Sequence, residues 1–149
     1  MSRPVVELYN HQEAVALDLG SLGIQAELVL PMVLLCPVPP GAVSVLGDLD
    51  TVEVSFINDA EIARVHGEFL DDPTPTDVIT FDHGEILISA ETAARCAADY
   101  GHTPPEEALL YLIHGLLHLR GYDDQEPESR AAMHRTQQHL LEKIRKQTE

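Results

Sequence analysis

Basic side chains are scarce in this 149-residue chain: nine Lys and Arg stand against 25 Asp and Glu, a formal net charge of −16. Broad, nonspecific affinity for nucleic acid rests on many Lys and Arg neutralising phosphates, so that class of function is excluded. One local RNA site built around a metal ion is not excluded. Cysteine is almost as sparse. Cys36 and Cys96 lie far apart with no paired spacing, which rules out a disulfide framework and reads as two core thiols in a reducing compartment. Long apolar runs are missing too. The longest, residues 28–40, is broken by Pro31 and by further prolines from Pro37 onward, and it is too short to span a bilayer. No charged leader followed by a signal-type apolar stretch opens the sequence. The expectation is a cytoplasmic protein without a membrane partner.

Hydrophobic residues make up 44% of the chain, enough for one globular domain over residues 1–149 with a real core and no need of metal or disulfide staples. Any metal is therefore expected to serve chemistry rather than folding.

The alternation in Val5 to Tyr9 predicts a short strand, followed by a helical region within 11–36 whose glycines and Pro31 blur its limits. The Pro- and Gly-rich residues 37–50 read as a connecting loop, which releases a strand over Thr51–Phe56. Asn58 or Asp59 can cap the next helix, on which Ile62, Val65, His66 and Phe69 share a face. The proline-restricted loop 71–77 feeds a hairpin: strand 78–81, a tight turn at Asp82-His83-Gly84, and strand 85–89. Helices are predicted over 90–99, 104–120 and 126–145. The middle one starts with Thr103 as cap, prolines in its first turn, and Glu106 and Glu107 where the helix dipole favours acids. Its stretch Ala108–Ile113 is apolar nearly all round, so it should be central and buried.

At the end of that buried helix stands the run His114-Gly-Leu-Leu-His118-Leu-Arg-Gly121-Tyr-Asp-Asp124. Histidines four apart on a helix point the same way and can close on one ion. Gly121 offers a left-handed cap that stops the helix and turns the chain back, bringing Asp124 toward the same point. Two imidazoles and a carboxylate leave a tetrahedral zinc ion one open position. The competing reading keeps His114 and His118 as hydrogen-bonded core or surface histidines and has Asp123 and Asp124 capping the last helix. The two acids can also divide these jobs, Asp124 on metal and Asp123 capping. A zinc protease of the His-Glu-x-x-His kind carries its general base directly after the first histidine, where this chain has Gly115, so candidate bases must come from elsewhere, Asp77 and Glu85 among them.

The run 114–124 is similar to the signature His-Gly-x-Leu-His-Leu-x-Gly-Tyr-Asp-His of the YbeY family of bacterial endoribonucleases. A second block, Asn58-Asp59, Glu68-Phe69 and Pro75-Thr76-Asp77-Val78-Ile79-Thr80-Phe81, resembles that family's Asn-Asp, Glu-Tyr and Pro-Thr-Asp-Val-Leu-Ser-Phe pattern at the same separations, and Gly84–Ser89 resembles its Gly-Asp-Ile-x-Ile-Ser. The resemblance covers residues 51–124. It implies an α+β fold, a small mixed β-sheet packed against several helices with the metal site at the end of a buried helix, and one Zn²⁺ per chain on His114, His118 and Asp124. It also implies cleavage of single-stranded RNA in 3′-end maturation of the small-subunit ribosomal RNA and in ribosome quality control, with the small ribosomal subunit as partner and a cytoplasmic monomer as the acting form. Asp77 would line the same cleft. The chain departs from the pattern twice. Asp124 stands where the family has histidine, an acceptable zinc ligand that lowers the site's charge by one. Leu70 stands where the family has an arginine for RNA phosphate, and leucine offers no guanidinium fork. Arg120, within the motif, and Arg64 are the candidates to supply that charge; Arg64 reads equally as a solvated helix-face arginine. Tyr122 reads as packing over the site or stacking on a base, and Thr76 as a loop cap. A metallohydrolase for another substrate and a metal-binding, ribosome-associated protein without nuclease activity remain open alternatives.

Overall fold

Strand β1 (Val5–Asn10) opens the fold in the computed structural model, which describes residues 3–148. Helix α1 (Leu19–Leu35) crosses to β2 (Thr51–Ile57), α2 (Asp59–Leu70) leads to β3 (Val78–Phe81), and β4 (Glu85–Ser89) runs into α3 (Ala90–Tyr100), α4 (Pro104–Arg120) and α5 (Pro127–Thr148). The four strands form one mixed sheet in the order β1-β2-β4-β3. β1 pairs parallel with β2 and β2 parallel with β4, while β3 returns antiparallel to β4 with Val78 opposite Ile88 and Phe81 opposite Glu85. β3 is thus an edge strand. The α+β class read from the sequence is the one found.

Strand alternation sorts the apolar residues to two faces. Val52, Val54, Phe56, Ile86 and Ile88 point into the main core with α1, α4 and α5, whereas Ile57, Ile79 and Leu87 meet Ile62 and Val65 of α2 on the other side. Phe69, expected on that inner face of α2, is 62% exposed and lies edge-on to Phe81 with ring centroids 5.6 Å apart. It falls in the last turn of α2, where it meets only the end of the edge strand β3 and stays open to solvent. Asn58 is the cap of α2, accepting from the Glu61 N–H at 2.8 Å. Asp59 ties α2 to the start of α3. Its carboxylate accepts from Ser89 Oγ, Thr92 Oγ1 and the Arg95 guanidinium at 2.6, 2.8 and 2.7 Å. Burial alone raises its pKa, but these three donors together hold it below the ordinary carboxylate value.

The vague first helix is continuous over its 17 residues, with Pro31 inside it and Asp18 as cap. The loop before β2 contains a 3-10 turn, Leu46–Asp48, that inserts Leu46 into the core. α4 is the hub, packed against α1, α3, α5, β3 and β4. Its entry is set by a reciprocal capping box between Thr103 and Glu106. Glu107, expected merely to complement the dipole, is buried and paired with His102 at 2.8 Å. Gly121 ends the helix at φ 115°, its N–H bonding the His118 carbonyl while the Tyr122 N–H reaches back to Leu117, a Schellman turn that reverses the chain. Among the described residues no helix is long and apolar enough to cross a membrane.

Candidate functional site

Every α4 residue from Ala108 to Leu119 is buried except His114 and His118. A helix enclosed by neighbours on all sides opens to solvent at two points one turn apart, and both carry imidazole. Their side chains are 25% and 43% exposed. They face an open cleft of about 500 Å³ with Asp124 at one end, and the opposite wall is the edge strand β3 with Leu70 and Asp82. Edge position explains the cleft: no further strand covers β3, so the space beside it is left to α4 and the loop after it.

The Schellman turn delivers Asp124 to this cleft. Asp123 is taken up by the loop itself, its carboxylate accepting from Ser129 Oγ at 2.8 Å and from the Gln125 N–H at 3.2 Å, and the serine hydroxyl is the largest of the contacts that hold its pKa below the ordinary value. The Asp124 carboxylate points instead toward His114, Oδ2 lying 3.8 Å from Nε2. The other ring nitrogen, Nδ1, sits 2.9 Å from Gln137 Oε1 on α5, which holds the proton on Nδ1 and leaves the Nε2 lone pair facing the cleft. His118 Nε2 has its own acidic neighbour, Asp82 Oδ1 at 3.8 Å.

These donors converge in pairs. Among the described residues no group of three His, Cys, Asp or Glu is drawn together around a common point. Two atoms bonded to one zinc ion at about 2.0–2.2 Å lie no more than about 4.3 Å apart. The His114–Asp124 pair, at 3.8 Å, meets that limit. The donor types, two imidazoles and carboxylate, also suit zinc, and Gln137 supplies the orienting hydrogen bond that ligand histidines need. Replacing Gln137 with leucine is therefore expected to weaken zinc affinity about 10- to 100-fold with the fold intact. Competition against a chelating dye measures this, and unchanged affinity would remove Gln137 from the site.

Several residues singled out in the sequence lie elsewhere. Arg120 does not face the cleft: two residues beyond His118 is about 200° around the helix, and its guanidinium donates to the Cys36 carbonyl at 3.0 Å and to Ser44 Oγ at 3.4 Å, pinning the loop before β2. In this structure Arg120 thus makes a structural contact with that loop. Asp77 also misses the cleft. It accepts from the Val78 N–H at 2.8 Å and lines a neighbouring hollow of about 440 Å³ with Cys96, His102 and Tyr111. β3 turns it toward α3, away from the histidines. Thr76 hydrogen-bonds this same carboxylate at 3.4 Å. Glu85 and Arg64 line a larger concavity of about 870 Å³ on the outer sheet face, and Arg64 is paired with Glu61 and Glu68, both at 2.7 Å. Tyr122 packs against the core. Leu70 is the residue that does face the cleft, 56% exposed. Sequence reasoning missed Asp82, which reads only as a turn residue, and Gln137, which stands 23 positions from the histidine it orients.

A model of the family described as Endoribonuclease YbeY matches residues 42–145. Proteins named Endoribonuclease YbeY are similar to this chain. The one from Rhodopirellula baltica is 43% identical over 100 residues, covering 60% of this chain and 52% of that protein. The Protochlamydia amoebophila protein is 41% identical over 88 residues, 52% of this chain and 59% of that protein, and the Synechococcus protein is 36% identical over 110 residues, 64% and 69%. The chain thus spans between half and two thirds of the length of the first two relatives. The solution structure of a Thermotoga maritima protein superposes with a TM-score of 0.63 at 25% identity, covering 93% of this chain and 88% of that one.

Proposed function

Because the chain belongs to the YbeY endoribonuclease family, we propose that it is a zinc-dependent endoribonuclease that cuts single-stranded ribosomal RNA. The finer reading is a cytoplasmic monomer acting in 3′-end maturation of the small-subunit RNA and in ribosome quality control, at the small ribosomal subunit. The observation that carries the proposal is that His114 and His118 are the only residues between Ala108 and Leu119 of α4 that are not buried, and that they open into one cleft with Asp124. Those three residues would hold the ion. When bound, zinc supplies Lewis-acid stabilisation of the negative charge that grows on a phosphate during cleavage.

The remaining work falls to the protein. Gln137 fixes the ring of His114. Asp82, at the rim beside His118, is the carboxylate the cleft offers for taking up a proton from the attacking oxygen. The edge of β3 and Leu70 form a wall that keeps part of the approach dry. A strand enters on the open side, and with a net charge of −16 the protein relies on this local site for affinity. Leu70 in a cleft with no lining arginine or lysine favours a second reading, a zinc-binding, ribosome-associated protein that does not cut.

One experiment separates them. Highly purified, zinc-loaded protein is expected to cleave unpaired RNA, and the same preparation after chelation, or with His118→Ala, is expected to lose at least about 100-fold of the rate. Equal cleavage by the variant would reveal a contaminant and contradict the proposal. Ribosome capture without cleavage would establish the second reading.

A further inference from the structure

On the α5 side of His114 lies a second, smaller hollow of about 90 Å³, bounded by His114, Asp124, Arg130, Met133, His134 and Gln137. The four α5 residues are spaced i, i+3, i+4, i+7, one helix face. Further along, the same stripe is buried as Leu140, Leu141 and Ile144. Facing the histidines, it is mostly polar, and a polar break in an apolar stripe marks function more often than stability.

Arg130 is the arginine that borders this hollow. Its Nε donates to the Asp124 carbonyl at 3.1 Å, which fixes the guanidinium at the mouth of the hollow. Among the described residues nothing takes its two terminal nitrogens. By contrast Arg3, Arg64, Arg95 and Arg145 are paired with carboxylates and Arg120 is engaged by the loop before β2, while Arg135, which also has no side-chain partner among the described residues, lies outside the hollow. The hollow is open to solvent and has room for a tetrahedral oxyanion beside the guanidinium. The Asp124 carboxylate borders it and opposes an anion until its charge is balanced by a cation shared with His114.

We propose that this hollow is a phosphate subsite, in which the Arg130 fork, with His134 beside it, grips a phosphodiester neighbouring the one that is cut. The inference rests on the zinc-dependent RNA reading above. Arg130 would bind and position the strand rather than take part in proton transfer. A planar fork matches two phosphate oxygens at once, which a lysine does not.

The test is binding of a 2′-O-methyl single-stranded oligonucleotide by zinc-loaded full-length protein across a salt series, with zinc content and oligonucleotide integrity measured for each variant. Arg130→Gln is expected to weaken binding about tenfold and to lower the slope of log affinity against log salt by about 0.7, the value of one phosphate contact on a single strand. Arg130→Lys should restore the slope and not the full affinity. Arg135→Gln, exposed on the same helix outside the hollow, should match wild type within about twofold. Equal effects of Arg130→Gln and Arg135→Gln would overturn the subsite. So would an unchanged slope with reduced zinc in both Arg130 variants, which marks a mere anchor for Asp124. Wild-type protein that holds zinc and binds no oligonucleotide at any salt overturns the RNA reading as well, whereas binding left intact by Arg130→Gln overturns the subsite alone.

Discussion

His114→Ala is expected to take zinc from one equivalent per chain to near zero and to reduce RNA cleavage by at least about 100-fold, while leaving the fold standing. His114 is the centre of the site: its Nε2 faces Asp124 at 3.8 Å, its Nδ1 is held by Gln137 at 2.9 Å, and it borders both the main cleft and the small hollow. Loss of an outer-shell partner typically costs about 10- to 100-fold in metal affinity or activity, and loss of a ligand itself costs more. The fold should survive because the ring is already a quarter exposed and the core around it is made by its neighbours, Ile113, Leu116 and Leu117. Metal analysis after gel filtration, paired with circular dichroism and a cleavage assay, reads all three. A variant that keeps one zinc and full activity would place the chemistry elsewhere.

Gly115→Ala is expected to destabilise the protein by about 1–3 kcal/mol, the usual cost of forcing extra volume into a packed core. A Cβ at this position would lie 2.7 Å from Ile86 Cδ1, 3.0 Å from Cγ2 and 3.1 Å from Cγ1, all on the strand beneath α4. Ile86 is fully buried, so the ring of contacts around it has nowhere to give. For a domain of this size the cost corresponds to a melting temperature about 2–12 °C lower. The same contact explains a functional feature. A glutamate after the first histidine, the general base of the zinc proteases, has no space here, because α4 rests on the sheet at that residue. Thermal and urea unfolding of Gly115→Ala measure the effect; a melting temperature within about 1 °C of wild type would show that Ile86 moves aside freely, and would leave room for a protease base.

Residues whose roles depend on local geometry were legible from the sequence. The His114–His118 spacing, the left-handed cap at Gly121, the Thr103 cap and the hairpin around Asp82–Gly84 follow from helix periodicity and turn chemistry, and the structure has each of them. Asp123 likewise caps its loop as its type suggests. Residues whose roles depend on long-range packing were not. Gln137 and Arg130 reach the histidines only because α5 folds back along α4, which no local pattern announces; the one available hint is polar side chains at positions of the apolar stripe. Arg120 stands within the motif, although its angle on the helix turns it away from His118. Asp77 stands in a motif block, and the course of β3 carries it to the adjacent hollow. Phe69 has the right spacing for the buried face of α2 but meets only Phe81 at the end of the edge strand, which leaves it exposed.

The most direct test of the central claim is the position of zinc in a crystal of the zinc-loaded protein, located by anomalous scattering at the zinc edge. One ion is expected within about 2.0–2.2 Å of His114 Nε2, His118 Nε2 and an Asp124 carboxylate oxygen, with a fourth position open to the cleft. Zinc bound by other side chains, or no ion at this point in protein that carries one equivalent, would contradict it.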